Sequence, residues 1–445
     1  MTSRPALKLF LGALLLYNVN FRPIPSGDTL PAALLPLQLV LHGRANFDNC
    51  QPLLKQNYGG DAYFLYAKGA HYYSSYPVAQ PLLLTPLYLP LALAPGARRW
   101  TSGTEVLAAR ILEKLMASAI ASASVACLFL LLRRLSSERR ALLLAAVYAF
   151  ATNTWSTSSE ALWQHGASQL TIVMSLLCLA RFLEDQSRWR AAAGAGLFAA
   201  LSVAMRPTDI LFYAASLAVL SWRVRRPWLL AWYAAFGILI GGSLALYNVR
   251  MFGNLRGAYR QPFDGNVWSG LAGLTVSPSH GLFVYSPVLL FALAGAYFCW
   301  RQGSGPGFVL WPIALLFSAS EVGLCARWPI WWGGDCYGPR LLVDMLPCLI
   351  LLVAAALGWI VRYQVLRGAF AVTVVFSVGV QLVGAFCFPR GFQKPERLWD
   401  WAHCPIVENA RQGATLVPYR VVAGFAGDLL HGRAPDTEHT GILIR

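Results

Sequence analysis

The sequence predicts an all-α integral membrane protein: a polytopic bundle of about eleven transmembrane helices, with a long first extracytoplasmic loop containing interfacial helices. Three observations predict it. The 445 residues are 57% apolar and only 13% charged, about half the charge that covers an ordinary soluble domain. The apolar excess runs along nearly the whole chain, which excludes the roughly three soluble domains that length alone suggests. Six stretches, at 115–132, 161–180, 227–249, 302–320, 345–361 and 368–389, contain no Asp, Glu, Lys or Arg.

A bilayer core of ~30 Å takes about 20 mostly apolar helical residues, with ~17 tolerated, so each of the six is long enough to span or nearly so. Shorter apolar runs lie at 9–21, 141–153, 191–205 and 210–222. The run 265–300 is too long for one span, and its polar first half reads as a loop ahead of a helix at 282–300. Few basic residues and no small-residue cleavage site accompany the first run, which is therefore read as an anchor. The stretch 81–95 is apolar but carries Pro81, Pro86, Pro90 and Pro95. Proline removes a backbone donor and kinks a helix, so this stretch is placed at the outer interface as an interfacial or re-entrant segment.

Charge sets the orientation. With the N-terminus in the cytoplasm, the loops at 1–8, 133–140, 181–190, 222–227, 301–307 and 362–367 fall on the inner side. They hold 15 of the 36 basic residues and three acids, Glu138, Glu184 and Asp185. Dense Lys and Arg in short loops follow the positive-inside rule. The net charge of +16 is then an orientation signal, and no nucleic-acid partner is expected. The expected divisions are a transmembrane domain over 1–388, with its first outer loop at 22–104, and a short extracytoplasmic segment over 389–445. Cysteine is uninformative: Cys127, Cys178, Cys299, Cys348 and Cys387 fall in spans, Cys325 lies at a span's end, and Cys50, Cys336 and Cys404 lie outside, where a disulfide is permitted.

The candidate functional residues all fall at the outer boundary. Asp28, after Gly27, is placed either to take a proton from a hydroxyl or to cap the following helix. Tyr76, in a run of hydroxyls and aromatic rings that begins at His71 and lies close to Lys68, suits sugar stacking or an interfacial aromatic belt. Glu160 and Gln164 are four apart and would share a helix face, with His165 beside them, lining a pocket or forming a polar network. Arg206 interrupts a double apolar run, where charge is costly and tends to be functional. It suits phosphate, or a local turn with Asp209. The string 331–340 offers Trp332, paired glycines that admit a close backbone approach, Tyr337 and Arg340, against the alternative of a tight turn with an Arg340–Asp344 pair. Glu321 is set against Arg327, and His280 opens a further loop-to-helix entry.

In order and placement these strings resemble the GT-C superfamily of polytopic glycosyltransferases. They are most similar to the bacterial group related to protein O-mannosyltransferases and lipid A aminoarabinose transferases. The resemblance rests on Gly27-Asp28, Tyr76-Pro77, Ala161-Leu162-Trp163-Gln164-His165, Arg206-Pro207, the string 277–287 and Trp332-Gly333-Gly334 with Tyr337-Gly338-Pro339-Arg340. It implies a hexosyl- or pentosyltransferase with a polyprenyl-phosphate sugar donor, a glycan, lipid or protein acceptor, and transfer outside the cell's inner (plasma) membrane, with inversion. On that reading Asp28 is the base, Arg340 and Arg206 meet the lipid phosphate, and Trp332, Tyr337 and Tyr76 hold the sugar. A divalent cation, Mg or Mn, would bridge phosphate and Asp28, although no full oxygen ligand set is visible. Two departures stand out: Asp28 precedes Thr29 instead of a second acid, and Tyr76-Pro77 runs into Val78-Ala79. The alternatives are a transporter or flippase of a lipid-linked sugar, or a non-catalytic membrane scaffold.

Overall fold

The computed structural model describes residues 4–20, 22, 26–93, 96–224, 226–258, 262–299, 307–388, 395–414, 424 and 426–428. Pro95, the expected inner loop at 301–306 and most of the tail beyond 414 lie outside them. The chain opens with α1 (Arg4–Asn18). The segment expected to form the first outer loop follows: α2 (Leu30–Leu37), continued by a π turn at Gln38–His42, then α3 (Gln51–Tyr58), strands β1 (Leu65–Lys68) and β2 (His71–Ser74), and α4 (Ala79–Ala92). The strands form an antiparallel hairpin, with Leu65 opposite Ser74 and Lys68 opposite His71. Gly69 turns it at φ 61°.

Helix α5 (Ser102–Leu135) joins loop to membrane. Thr101 Oγ1 caps it by accepting from the Thr104 N–H; Glu105 lies in its first turn and Arg133 and Arg134 in its last, each complementing the helix dipole. At 34 residues it is about 51 Å long, well beyond a ~30 Å bilayer core. Its first turns bury Val106, Leu107 and Ile111 in a separate core with Leu34 and Tyr88. Glu105 accepts from Gln38 Nε2 at 2.7 Å and pairs with His42 at 2.6 Å, tying the end of α2 to α5. Helix α4 forms in spite of Pro86 and Pro90 within it. Its 14 residues reach about 21 Å, short of a crossing, and it leaves Leu82, Leu83, Leu87 and Leu89 exposed.

The bundle continues with α6 (Glu138–Phe150), α7 (Gln164–Glu184), α8 (Trp189–Met205), α9 (Ile210–Val219), α10 (Pro227–Phe236) and α11 (Gly242–Phe252). It closes with α12 (Val267–Val276), α13 (Leu282–Tyr285), α14 (Phe291–Cys299), α15 (Gly307–Ala326), α16 (Leu346–Arg362), α17 (Gln364–Cys387) and α18 (Pro405–Gln412). Helices α10 and α11 run together, and α16 is entered through a 3-10 segment at Arg340–Met345. The chain is mostly helical, and among the described residues six helices are long and apolar enough to cross a membrane: Ser102–Leu135, Gln164–Glu184, Pro227–Phe252, Gly307–Ala326, Arg340–Arg362 and Gln364–Cys387. The other expected runs are shorter helices, such as α1 with 15 residues and α6 with 13.

Polar contacts sort the helix ends into two sets. At one end Arg134 pairs with Glu184, Arg226 Nε donates to Gln186 Oε1 at 2.7 Å, and Arg223 donates to the Phe308 carbonyl. At the other, Asn20 Nδ2 bridges Glu160 at 3.1 Å and the Ala385 carbonyl at 2.7 Å. The arginine-rich loops and the candidate site residues therefore occupy opposite ends of the bundle. Residues 395–414 seat on the candidate-site end: Ser277 Oγ donates to the Leu398 carbonyl at 2.8 Å, and Trp399 lies 6.2 Å from Trp331. Among the described residues no cysteine forms a disulfide, Cys50, Cys336 and Cys404 included.

Candidate active site

Asp28 does not cap α2. Thr29 stands at the N-cap position without a side-chain capping bond, and the Asp28 carboxylate is taken up elsewhere. Its Oδ2 accepts from Arg340 Nη1 at 2.7 Å, and its Oδ1 accepts from Tyr76 Oη at 2.7 Å and Tyr63 Oη at 2.8 Å. Burial alone would raise the carboxyl's pKa. The Arg340 guanidinium, with the Tyr76 and Tyr63 hydroxyls, outweighs burial and holds it below the usual carboxylate value. Gly27 makes the arrangement feasible, because a Cβ there would lie 2.7 Å from Tyr63 Oη and 2.9 Å from the Phe64 ring.

Arg340 is positioned by what surrounds it. Its Nη2 donates to the Gly333 carbonyl, and the guanidinium lies 4.3 Å from the centroid of the Trp163 ring. Nε is buried and has no acceptor among the described residues. Gly333, Gly334 and Gly338 all have positive φ, so the loop folds back around the side chain. At Gly338 a Cβ would also meet Asn153 Nδ2 and Tyr285 Cδ1 at 2.7 Å.

A second, deeper cluster adjoins the first. His165 Nδ1 lies 2.8 Å from Asp344 Oδ1. Arg206 Nη1 meets Asp344 Oδ2, Glu321 Oε1 at 3.1 Å and the Leu341 carbonyl at 3.2 Å. Arg206 therefore bridges the ends of α8 and α15 and the entry to α16, and its charge is answered by two buried carboxylates. The turn with Asp209 is backbone only, since Asp209 accepts instead from Ser168 Oγ. Glu321 takes Arg206, not Arg327, and Asp344 takes His165 and Arg206, not Arg340.

Glu160 and Gln164 do not share a helix face. Trp163, at the N-cap of α7, is extended at φ −59°, ψ 145°, so the chain before Gln164 leaves the helix axis. Glu160 turns inward to Lys114 at 2.8 Å, while Gln164, half-buried, opens α7. Tyr337 is also structural: it is 1% exposed, its hydroxyl donates to the Val380 carbonyl at 2.8 Å, and its ring packs 5.0 Å from Tyr285. It presents no face to a ligand here. Trp332 is half-buried against Trp331 at 5.7 Å. His280 is buried against the Gly334 and Cys336 backbone, and burial pushes its pKa down to about 3. Lys68 donates to the Arg250 carbonyl, and His71 pairs with Asp48 at 2.6 Å.

The structure thus joins Asp28, Tyr76 and Arg340 directly. Sequence reasoning missed Tyr63 as a partner of Asp28 and Trp163 as the surface beneath Arg340. No group of three or more His, Cys, Asp or Glu among the described residues is arranged to hold a metal ion. Both Asp28 oxygens are already engaged, so these residues do not fit a divalent cation.

A family model described as dolichyl-phosphate-mannose-protein mannosyltransferase matches residues 101–248, from the start of α5 into α11. The match takes in 148 of the 445 residues. It includes Glu160, Gln164, His165 and Arg206, and leaves Asp28 and Arg340 on either side. No curated protein matches the chain. Among solved structures, the chain is similar to the archaeal oligosaccharyltransferase AglB from Archaeoglobus fulgidus, solved in complex with an inhibitory peptide and a dolichol-phosphate. Identity is 12% and the TM-score 0.41; the match covers 99% of this chain, which spans 59% of that one.

Proposed function

We propose that this chain is a membrane glycosyltransferase that moves a sugar from a polyprenyl-phosphate donor to an acceptor hydroxyl, on the extracytoplasmic face and with inversion. The observation that carries this reading is the Asp28–Arg340 pair. Its partners lie 312 residues apart and meet at 2.7 Å, with side chains 21% and 11% exposed. A carboxylate and a guanidinium side by side at a partly open boundary supply the two charges that transfer from a lipid phosphate needs.

The step follows from those charges. The acceptor oxygen attacks the anomeric carbon and its proton passes to Asp28 Oδ1. The bond from that carbon to the phosphate oxygen breaks, and the electron pair leaves with the lipid phosphate. Arg340, whose buried Nε is a spare donor, meets the added negative charge, the preorganised role that often dominates catalysis. As the guanidinium turns toward phosphate its hold on Asp28 relaxes. The carboxyl then becomes more basic as the acceptor proton leaves. Tyr76 steadies the carboxylate throughout. Arg206 and His165 support the site from behind, through Asp344. No step is routed through a metal.

On this reading about eleven helices cross the inner membrane, with the N-terminus and the arginine-rich loops in the cytoplasm and the site and C-terminal segment outside. The segregation of polar clusters to opposite ends supports that arrangement. The test is to incubate purified protein with a panel of hexosyl and pentosyl polyprenyl phosphates and follow released polyprenyl phosphate. Release with at least one donor is expected. Movement of the lipid-linked sugar across vesicles without any release would replace the reading with a transporter.

A further inference from the structure

The Asp28 carboxylate is full on one side. A carboxylate oxygen offers about two lone-pair sites, and Oδ1 already accepts from Tyr76 at 2.7 Å and Tyr63 at 2.8 Å. A hydroxyl that is to surrender its proton to Oδ1 must displace one of them. We infer that Tyr63 is the acceptor gate: its phenol occupies the subsite of the acceptor hydroxyl and swings away as an alcohol-type O–H arrives. This inference rests on the glycosyl-transfer reading and deepens it.

The two tyrosines are not equivalent. Tyr63 is 62% exposed, whereas Tyr76 is half-buried against the loop core and its backbone N–H is held by Ser74 Oγ at 3.0 Å. Only the Tyr63 side chain has to move. Its neighbour Phe64 is 1% exposed; the Phe64 carbonyl accepts from the Ser75 N–H and the Ala62 carbonyl from the Leu65 N–H, both at 2.9 Å. The turn is therefore anchored on either side of an exposed ring, which is tied by its bond to Asp28 and an edge contact with Phe64 at 5.3 Å, and exposed rotamers exchange within picoseconds to nanoseconds. Desolvation at its hydroxyl end and the Asp28 charge both push the Tyr63 phenol above its usual pKa, although the side chain as a whole is exposed, so it remains a neutral O–H donor like the alcohol it stands in for. Gly27 leaves the space, because a side chain there would collide with Tyr63 Oη.

The test is carbodiimide-driven coupling of glycine ethyl ester to Asp28 in the detergent-solubilised full chain, read by peptide mass spectrometry. The panel is wild type, Tyr63→Phe, Tyr63→Ala and Tyr76→Phe, and each protein is also assayed for release of polyprenyl phosphate to water. Coupling several-fold faster in both Tyr63 variants than in wild type, with Tyr76→Phe near wild type, is the expected result. Equal rates in wild type and both Tyr63 variants would overturn the gate, as would acceleration confined to Tyr76→Phe. Faster coupling in the Tyr63 variants with no release from any protein would uphold the gate on Asp28 and sink the transfer reading. Unchanged coupling with normal release would do the reverse.

Discussion

Replacing Lys114 by Met strands the Glu160 carboxylate. In the folded chain Lys114 Nζ lies 2.8 Å from Glu160 Oε1, with side-chain exposures of 0% and 2%, and also donates to the Ser159 carbonyl at 3.2 Å. After the substitution Glu160 keeps the neutral donors Asn20 Nδ2 at 3.1 Å and Ser159 Oγ at 3.2 Å, together with the nearby charge of Arg22. Removing one partner of a buried pair costs about 3–5 kcal/mol, because the remaining charge is uncompensated. The two surviving donors put the expected loss at the lower end of that range. Removing both charges together is often close to neutral, so Lys114→Met with Glu160→Gln should recover most of the loss. The assay is a four-protein cycle of wild type, both single variants and the double, unfolded thermally in detergent. A Lys114→Met variant within about 0.5 kcal/mol of wild type, the range of an ordinary surface change, would refute the reasoning. So would a double variant whose loss is the sum of the two singles.

Arg206→Met should likewise destabilise by about 3–5 kcal/mol, since Glu321 and Asp344 would both lose their cation. Arg206→Lys should not restore stability, because a single ammonium does not reproduce a guanidinium that reaches two carboxylates and a carbonyl together; thermal unfolding of both variants checks this. The pH dependence at Asp28 has a defined sign. Its folded-state pKa lies below the ordinary value of about 3.9, so the ion pair's contribution is full above that pH and is lost as pH falls through the folded value. The gap in melting temperature between wild type and Asp28→Asn should be level from pH 7 to about 4 and close below it. A gap that instead closes between pH 7 and 5 would contradict the assignment.

The six long apolar helices were legible because a bilayer imposes length and apolarity on contiguous residues, as in 345–361, which lies within the Arg340–Arg362 helix; the count of about eleven spans rests on shorter runs. The sorting of helix ends was legible for a related reason: Arg133, Arg134, Arg181 and Arg223 mark their loops individually. Partners across the bundle were not. Glu321 and Arg206 are 115 residues apart, and no local pattern says that the ends of α15 and α8 meet, so the nearer Arg327 looked as good. Asp28 was found from its place after the first span, but its choice between cap and site depended on Arg340, far along the chain. Tyr63 is one of 18 tyrosines, and nothing in its neighbours distinguishes it until the Ala62–Leu65 turn brings it over Gly27. Glu160 was misplaced because helical spacing was extended back through residues that Trp163 holds in an extended conformation.

The central claim is that Asp28 takes the acceptor proton while Arg340 receives the lipid phosphate. It is tested most directly by single-turnover release of polyprenyl phosphate from the donor identified in the panel, comparing wild type with Asp28→Asn. The variant is checked for folding by a cooperative unfolding transition above the assay temperature, and for donor binding by titration with polyprenyl phosphate. The account predicts that Asp28→Asn binds the lipid phosphate at least as well as wild type, because Arg340 no longer shares its charge with a carboxylate, and releases essentially none from the sugar donor. Release by Asp28→Asn at a rate near that of wild type would contradict it.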